Sequence, residues 1–100
     1  MDSENSVVLD AVLTDKKELA YTPAGVAVFE ARFHYAGEQF EAEATRRVEF
    51  DFTAMAFADA AARLSRVPLG ERMLLKGFLS QRSLRNTKLT VHITEFKIRS

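Results

Sequence analysis

Along Thr45 to Thr53 polar and apolar side chains alternate from Arg47 onward, Val48, Phe50 and Phe52 falling on one side and Arg47, Glu49 and Asp51 on the other. A period of two is that of a strand with one buried face, so Val48, Phe50 and Phe52 are expected to point inward. Val26 to Tyr35 repeats the pattern, with Ala27, Phe29, Ala31, Phe33 and Tyr35 opposed to Val26, Val28, Glu30, Arg32 and His34. Ser6 to Thr14 is an earlier stretch of the same kind, Leu9, Ala11 and Leu13 lying opposite Val8, Asp10, Val12 and Thr14. From Ala56 to Val67 the period becomes helical: Phe57, Ala60, Ala61 and Leu64 share one stripe, and Asp59 precedes Arg63 by four residues. Arg66 suits the negative end of that helix, and Pro68 with Gly70 stops it. Arg72 to Leu79 is an apolar run containing Gly77, too short for a spanning helix and read as a strand; Leu89 to Thr94, rich in β-branched residues, reads as its partner.

The connections carry their own signals. Asp15 to Glu18 is a charged link, and Thr22-Pro23-Ala24-Gly25 is a turn in which Pro fixes φ and Gly supplies a positive one. Ala36 to Glu43, polar and acidic with Gly37 near its start, is expected to be a long hairpin loop. Ser80 to Lys88 holds three positive charges and no negative one, and becomes the basic tip of the last hairpin. Gly77 marks a bend, a bulge or a close backbone approach. The predicted order is three strands, a helix and two strands, an all-β chain with one short helix. That order is the signature of the five-stranded OB-fold barrel, whose helix lies between strands three and four and whose loops bind oligonucleotides. A ferredoxin-like fold needs a helix after the first strand, and an SH3-like barrel lacks the helix found here.

At 100 residues and 47% hydrophobic content, residues 1–100 form a single folded domain with a modest core. The small core and the open edges of a partly open barrel favour a homodimer. There is no cysteine, which removes disulfide and thiolate chemistry, and no apolar run approaches a membrane span. The acidic start Met1-Asp2-Ser3-Glu4-Asn5 is unlike a targeting peptide, so a cytoplasmic protein with no membrane partner is expected. Net charge is zero, yet Glu71 to Ser100 carries five positive charges in excess, so any attraction to a polyanion rests on uneven distribution.

Candidate chemistry is sparse. His34 and His92 lie on different strands, without cysteine or carboxylates at metal-ligand spacing, and are expected at the surface or an edge. Neither a nucleophile motif nor a phosphate-cradling glycine loop is present, so the chain reads as non-catalytic and without cofactor. Arg82, Arg85 and Lys88 of the basic loop, with Arg46, Arg47 and Lys76, form the candidate DNA-binding set; the ordinary alternative is solvated decoration for the loop and an ion-pair lattice with Glu49 and Asp51 for Arg46 and Arg47. Phe33, Tyr35, Phe78 and Phe96 are candidates for base stacking, although most of eight Phe belong to the core.

Asn5-x-Val7-x-Leu9, Thr22-Pro23-Ala24-Gly25, Phe33-His34, Gln39 with Ala42, Arg46, Gly77-Phe78-Leu79 and Leu89-Thr90-Val91-His92 leading to Ile98 occur in an order and spacing that resembles the primosomal replication protein N (PriB) family, relatives of bacterial single-stranded-DNA-binding proteins. The resemblance covers nearly the whole length. It implies a homodimeric, non-catalytic OB-fold that binds single-stranded DNA and a PriA-type primosomal helicase in replication restart, with single-stranded-DNA-binding protein as a further candidate partner. By position it assigns DNA contact to Arg46, Arg82, Arg85 and Lys88. The chain departs from the family pattern in having Glu49 where some members carry a stacking tryptophan, a slightly shorter basic loop, and acids at Glu38, Glu41 and Glu43. Two functions therefore stand side by side: a DNA-binding accessory factor of replication restart, and a mainly protein-binding OB adaptor whose DNA groove has weakened.

Overall fold

The computed structural model describes residues 3–99; Met1 and Asp2 of the acidic start, and Ser100, lie outside them. Five long strands, β1 (Val7–Lys16), β3 (Ala27–Glu41), β4 (Ala44–Phe57), β5 (Arg72–Gln81) and β6 (Leu89–Ile98), close into a barrel; β2 (Ala20–Tyr21) adds a two-residue ladder on β3, and α1 (Ala58–Ser65) sits between β4 and β5. The hydrogen-bonded order is β1-β5-β6-β4-β3-β2, and β1 also pairs with β3. All pairings are antiparallel except a three-residue parallel ladder that joins Ala54–Ala56 to Val91–Ile93. This is the OB-fold that the order of elements predicts.

The alternating patterns become the barrel interior. Leu13, Phe29, Phe33, Met73, Leu75 and Ile93 are fully buried, and Ala31, Ala54 and Ala56 belong to the same core cluster as the two phenylalanines and the helix residues Ala61 and Leu64. Burying one such large side chain contributes roughly 1.5–3 kcal/mol. The helix is shorter than the periodicity suggests, running from Ala58 to Ser65, and its Asp59–Arg63 pair forms at 3.9 Å. Its carboxyl end is held from outside: Lys16 Nζ donates to the Ser65 and Val67 carbonyls at 3.2 and 2.8 Å, placing a cation on carbonyls that have no helical partner.

Two sequence expectations need correction. Ala36–Glu43 is not a loop. β3 and β4 stay in register from Val28 opposite Phe57 to Glu41 opposite Ala44, and only Ala42 and Glu43, both at positive φ, make the turn. Because β3 leaves β1 after His34, the remaining ladder projects from the barrel as a two-stranded arm. Phe50 therefore does not point into a core; it stands on the arm, 40% exposed, with Val48 and Tyr35 half-buried beside it. Gly77, in contrast, meets its expectation. The β5–β6 register slips between Lys76 and Gly77, and a Cβ at Gly77 would lie 1.8 Å from the His92 carbonyl oxygen.

Candidate nucleic-acid interface

Strand alternation sends one set of side chains from β3 and β4 outward. The cross-strand partners Glu30 and Met55, Arg32 and Thr53, and His34 and Asp51 share this outer face, which continues along the arm through Glu49 and Arg47. Met55 is also level with His92 of β6, and His92 with Phe78 of β5, so the face extends across the barrel as one row. In that row the His92 ring lies against Phe78 at 4.5 Å and Phe57 at 4.8 Å between centroids. His92 is thus neither an edge nor a freely exposed residue, and burial lowers its pKa below the ordinary imidazole value. The three half-buried rings make a continuous aromatic patch.

The basic loop between β5 and β6 comes back onto this face. Arg82 Nη2 donates to Glu30 Oε1 at 2.6 Å, and Lys17, from the link after β1, reaches Glu30 Oε2 at 3.2 Å. One carboxylate, only 17% exposed, joins two loops that flank the outer face. The Arg82 hydrogen bond holds the Glu30 carboxyl below the usual carboxylate range, against the opposing effect of burial and with help from Lys17; the same bond raises Arg82. Beside Glu30 lies a depression of about 240 Å³ lined by Lys16, Lys17, Arg32 and Thr53 among others. Arg32 reaches only Thr53 Oγ1, at 3.4 Å, and enters no ion pair among the described residues.

The six sequence candidates do not form one cluster. Arg82 is on the outer face. Arg85 and Lys88 are exposed on the same loop and make no ion pair among the described residues. Arg47 lies on the outer face of the arm, bound to Glu49 at 2.8 Å, the one pair of the expected lattice that forms, while Asp51 is engaged instead by His34 at 2.8 Å, which also reaches Glu49 at 3.8 Å. Arg46, one residue earlier, turns to the opposite face of the arm, level with Gln39, and pairs with Glu41 at 3.1 Å. Lys76 stands on β5 between Val8 and Glu95, with β1 between it and β3. Of the stacking candidates, Phe33 is fully buried, Phe96 lies under the Arg63 guanidinium at 5.0 Å, Tyr35 packs against Phe50 on the inner side of the arm, and Phe78 alone joins the outer patch.

Sequence reading missed Lys17, Glu30 and Arg32 as site residues, and it missed Phe40. The last is 75% exposed near the tip of the arm, level with Thr45 and on the same side as Arg47. Its place was hidden because the segment had no turn residue to reveal a hairpin. Glu30 and Arg32 were legible as outward residues of an amphipathic strand, with nothing to show that a loop fifty residues later would meet them.

Comparison with known proteins agrees with this architecture. A family profile described as another single-strand binding protein family matches residues 5–95. The replication restart protein PriB of Nitrosomonas europaea is 30% identical over 96 residues, covering 96% of this chain and 89% of that protein. The three-dimensional structure of PriB from Ralstonia solanacearum superposes with a TM-score of 0.89 at 31% identity, over 98% of this chain and all of that one. A small single-stranded-DNA-binding protein from Streptomyces coelicolor, 12% identical, shares the fold with a TM-score of 0.75 over 99% of this chain and 96% of its own. The chain belongs to the PriB family of OB-fold proteins related to single-strand binding proteins.

Proposed function

We propose that this chain is a non-catalytic accessory protein of DNA replication restart that binds single-stranded DNA across the outer face of β3 and β4 and acts with a PriA-type helicase. The observation that carries this reading is the docking of the basic loop onto that face, where Arg82 lies across Glu30 and the Phe57–His92–Phe78 patch continues the row. Bases stack on aromatic surfaces irrespective of sequence, and cations in flanking loops follow the backbone, so binding has little sequence preference. In this reading Arg82, Arg85 and Lys88 neutralise phosphates, Arg47 and Phe40 extend the track along the arm, and Arg46 and Lys76 contribute less because they face elsewhere. Such a role is carried out in the cytoplasm. Fluorescence anisotropy with a labelled oligothymidylate over a salt series is the test. Replacing Arg82, Arg85 and Lys88 by Ala should weaken binding and lower the log–log salt slope by about 0.7 for each phosphate no longer neutralised. Parental affinity and slope in the triple variant would make the loop decoration.

A second reading is favoured by the ion pairs themselves. Arg82, Lys17, Arg47 and His34 are all engaged by carboxylates, which suits a protein surface of mixed charge better than a polyanion. Helicase contact then matters at least as much as DNA contact. Helicase stimulation should survive in part when the loop cations are removed, and charge reversal at Glu49 and Asp51 should disturb the complex. If stimulation tracks DNA affinity through every variant, and no complex forms without DNA, the adaptor reading is wrong.

The working unit is a homodimer. β1 pairs with β3 only from Val12 onward, so the β3-facing edge of Val7–Ala11 has no strand partner among the described residues. Next to it, Val8, Tyr35, Val48, Phe50 and Leu74 line an open groove of about 440 Å³. An unpaired edge beside exposed apolar surface is self-complementary about a two-fold axis. Sedimentation that finds only monomer at micromolar concentration would refute it.

A further inference from the structure

We propose that Glu30 is an internal stand-in for phosphate: its carboxylate occupies the place of a backbone phosphate between Arg82 and Lys17, and nucleic acid binds by displacing it. The inference rests on the single-stranded-DNA reading above and assigns to one acidic residue the control of affinity at that site. Three observations carry it. Glu30 presents its two oxygens to two cations at 2.6 and 3.2 Å, as a phosphate would, and those cations come from separate segments, Lys17 from the link after β1 and Arg82 from the loop after β5. The Glu30 side chain is only 17% exposed, and it stands on the outer face level with Met55, next to the aromatic row. The adjoining depression holds Arg32, a cation without an ion pair among the described residues, so a displacing phosphate finds a third positive group within the same site.

The consequence is competitive. In the free protein the single charge of Glu30 already offsets part of the two positive charges of Arg82 and Lys17, so a phosphate arriving there competes with a tethered anion. Binding there exchanges one anion for another, which weakens both the affinity and its dependence on salt. Removing the charge of Glu30 while keeping its size should therefore strengthen binding, contrary to the usual effect of breaking an ion pair. Loss of two surface pairs of ordinary strength corresponds to a gain of between about two- and thirtyfold for the competing phosphate.

The experiment compares the parent chain, Glu30→Gln, Arg82→Ala and the double variant for binding of a labelled oligothymidylate over a salt series. Glu30→Gln is expected to bind more tightly than the parent and with a steeper salt slope, by about 0.7 for each phosphate newly neutralised. The gain should shrink in the Arg82→Ala background, where half the competition is already absent. Carbon-detected NMR titration of Glu30 in the parent chain supplies a measurement that needs no variant to fold. On saturation with oligothymidylate its carboxyl should titrate at higher pH than in the free protein, since a phosphate has taken its cations. A parent that binds while Glu30→Gln binds no better, or a Glu30 whose titration is unmoved by bound DNA, overturns this inference and leaves the DNA reading intact. No binding by any of the four proteins at low salt overturns both.

Discussion

Replacing Gly77 by Ala should be among the most damaging single changes this chain can suffer, although it adds only one methyl group. The added Cβ would lie 1.8 Å from the His92 carbonyl oxygen, 2.8 Å from the His92 carbonyl carbon and 3.1 Å from Ile93 Cα, all of them backbone atoms that no rotamer change can move. Carbon and oxygen approach no closer than about 3.3 Å across a sheet, so β5 and β6 must part locally by roughly 1.5 Å. That separation would break the ladder on either side of the bulge. Two broken hydrogen bonds at about 1 kcal/mol each, with an overpacking term of about 1–3 kcal/mol, give a destabilisation of roughly 3–5 kcal/mol. Against a total stability of about 5–15 kcal/mol this is a large share, and it corresponds to a fall in Tm of about 12–40 °C for a domain of this size. Urea unfolding followed by circular dichroism measures it. Gly70→Ala is the control, since Gly70 has φ +91 with nothing within 4 Å of an added Cβ, and should lose only the conformational term of about 1–2 kcal/mol. If Gly77→Ala unfolds at the same urea concentration as Gly70→Ala, the steric account of the bulge is wrong.

Two further outcomes follow from local structure. Glu43→Gly should stabilise the chain by about 0.5–1 kcal/mol, because Glu43 holds φ +63 in the two-residue turn and glycine relieves that strain at the expense of a more flexible unfolded chain; a lower urea midpoint would refute it. His92 gives the protein a pH dependence whose direction is set by its lowered pKa: the folded ring resists a proton that the unfolded ring accepts near pH 6.5, so stability is complete above that pH and declines below it, by at most about 1.4 kcal/mol per pH unit. His92→Phe should remove this part of the slope between pH 7 and 5.5, and an unchanged urea-midpoint profile would show that another group produces it.

How much of this was legible in the sequence depends on the range of each interaction. Phe29, Ala31 and Phe33 were readable as inward residues because burial imposes a period of two, and Ala61 with Leu64 because a helix imposes its own. The arm was not readable. Hairpin turns with two positive φ values are marked by Asn-Gly or Asp-Gly, and here the positions are Ala42 and Glu43, while Gly37, the residue that suggested a loop, lies within a strand. Adjacent Arg46 and Arg47 looked like one basic patch, but the pleat of β4 sends them to opposite faces. The Glu30–Arg82 pair spans 52 residues and exists only because closing the barrel brings the last hairpin over β3; no local pattern encodes it.

The zero net charge takes on a different meaning once these pairs are located. A neutral chain could hold well-separated positive and negative regions, and the excess of five positive charges after Gly70 suggests that arrangement. The fold instead mixes them, carrying Arg82 to Glu30 and leaving Arg85 and Lys88 exposed on the same loop. Under the proposed function these two kinds of cation act at different stages. Exposed charges draw a polyanion toward the face over distances near the Debye length of about 8–10 Å, which raises the association rate. Paired charges contribute only after their carboxylates yield, which sets how long the strand stays. Neutralising Arg85 and Lys88 should therefore act mainly on association, and changing Glu30 mainly on dissociation, a separation that equilibrium affinity alone would conceal.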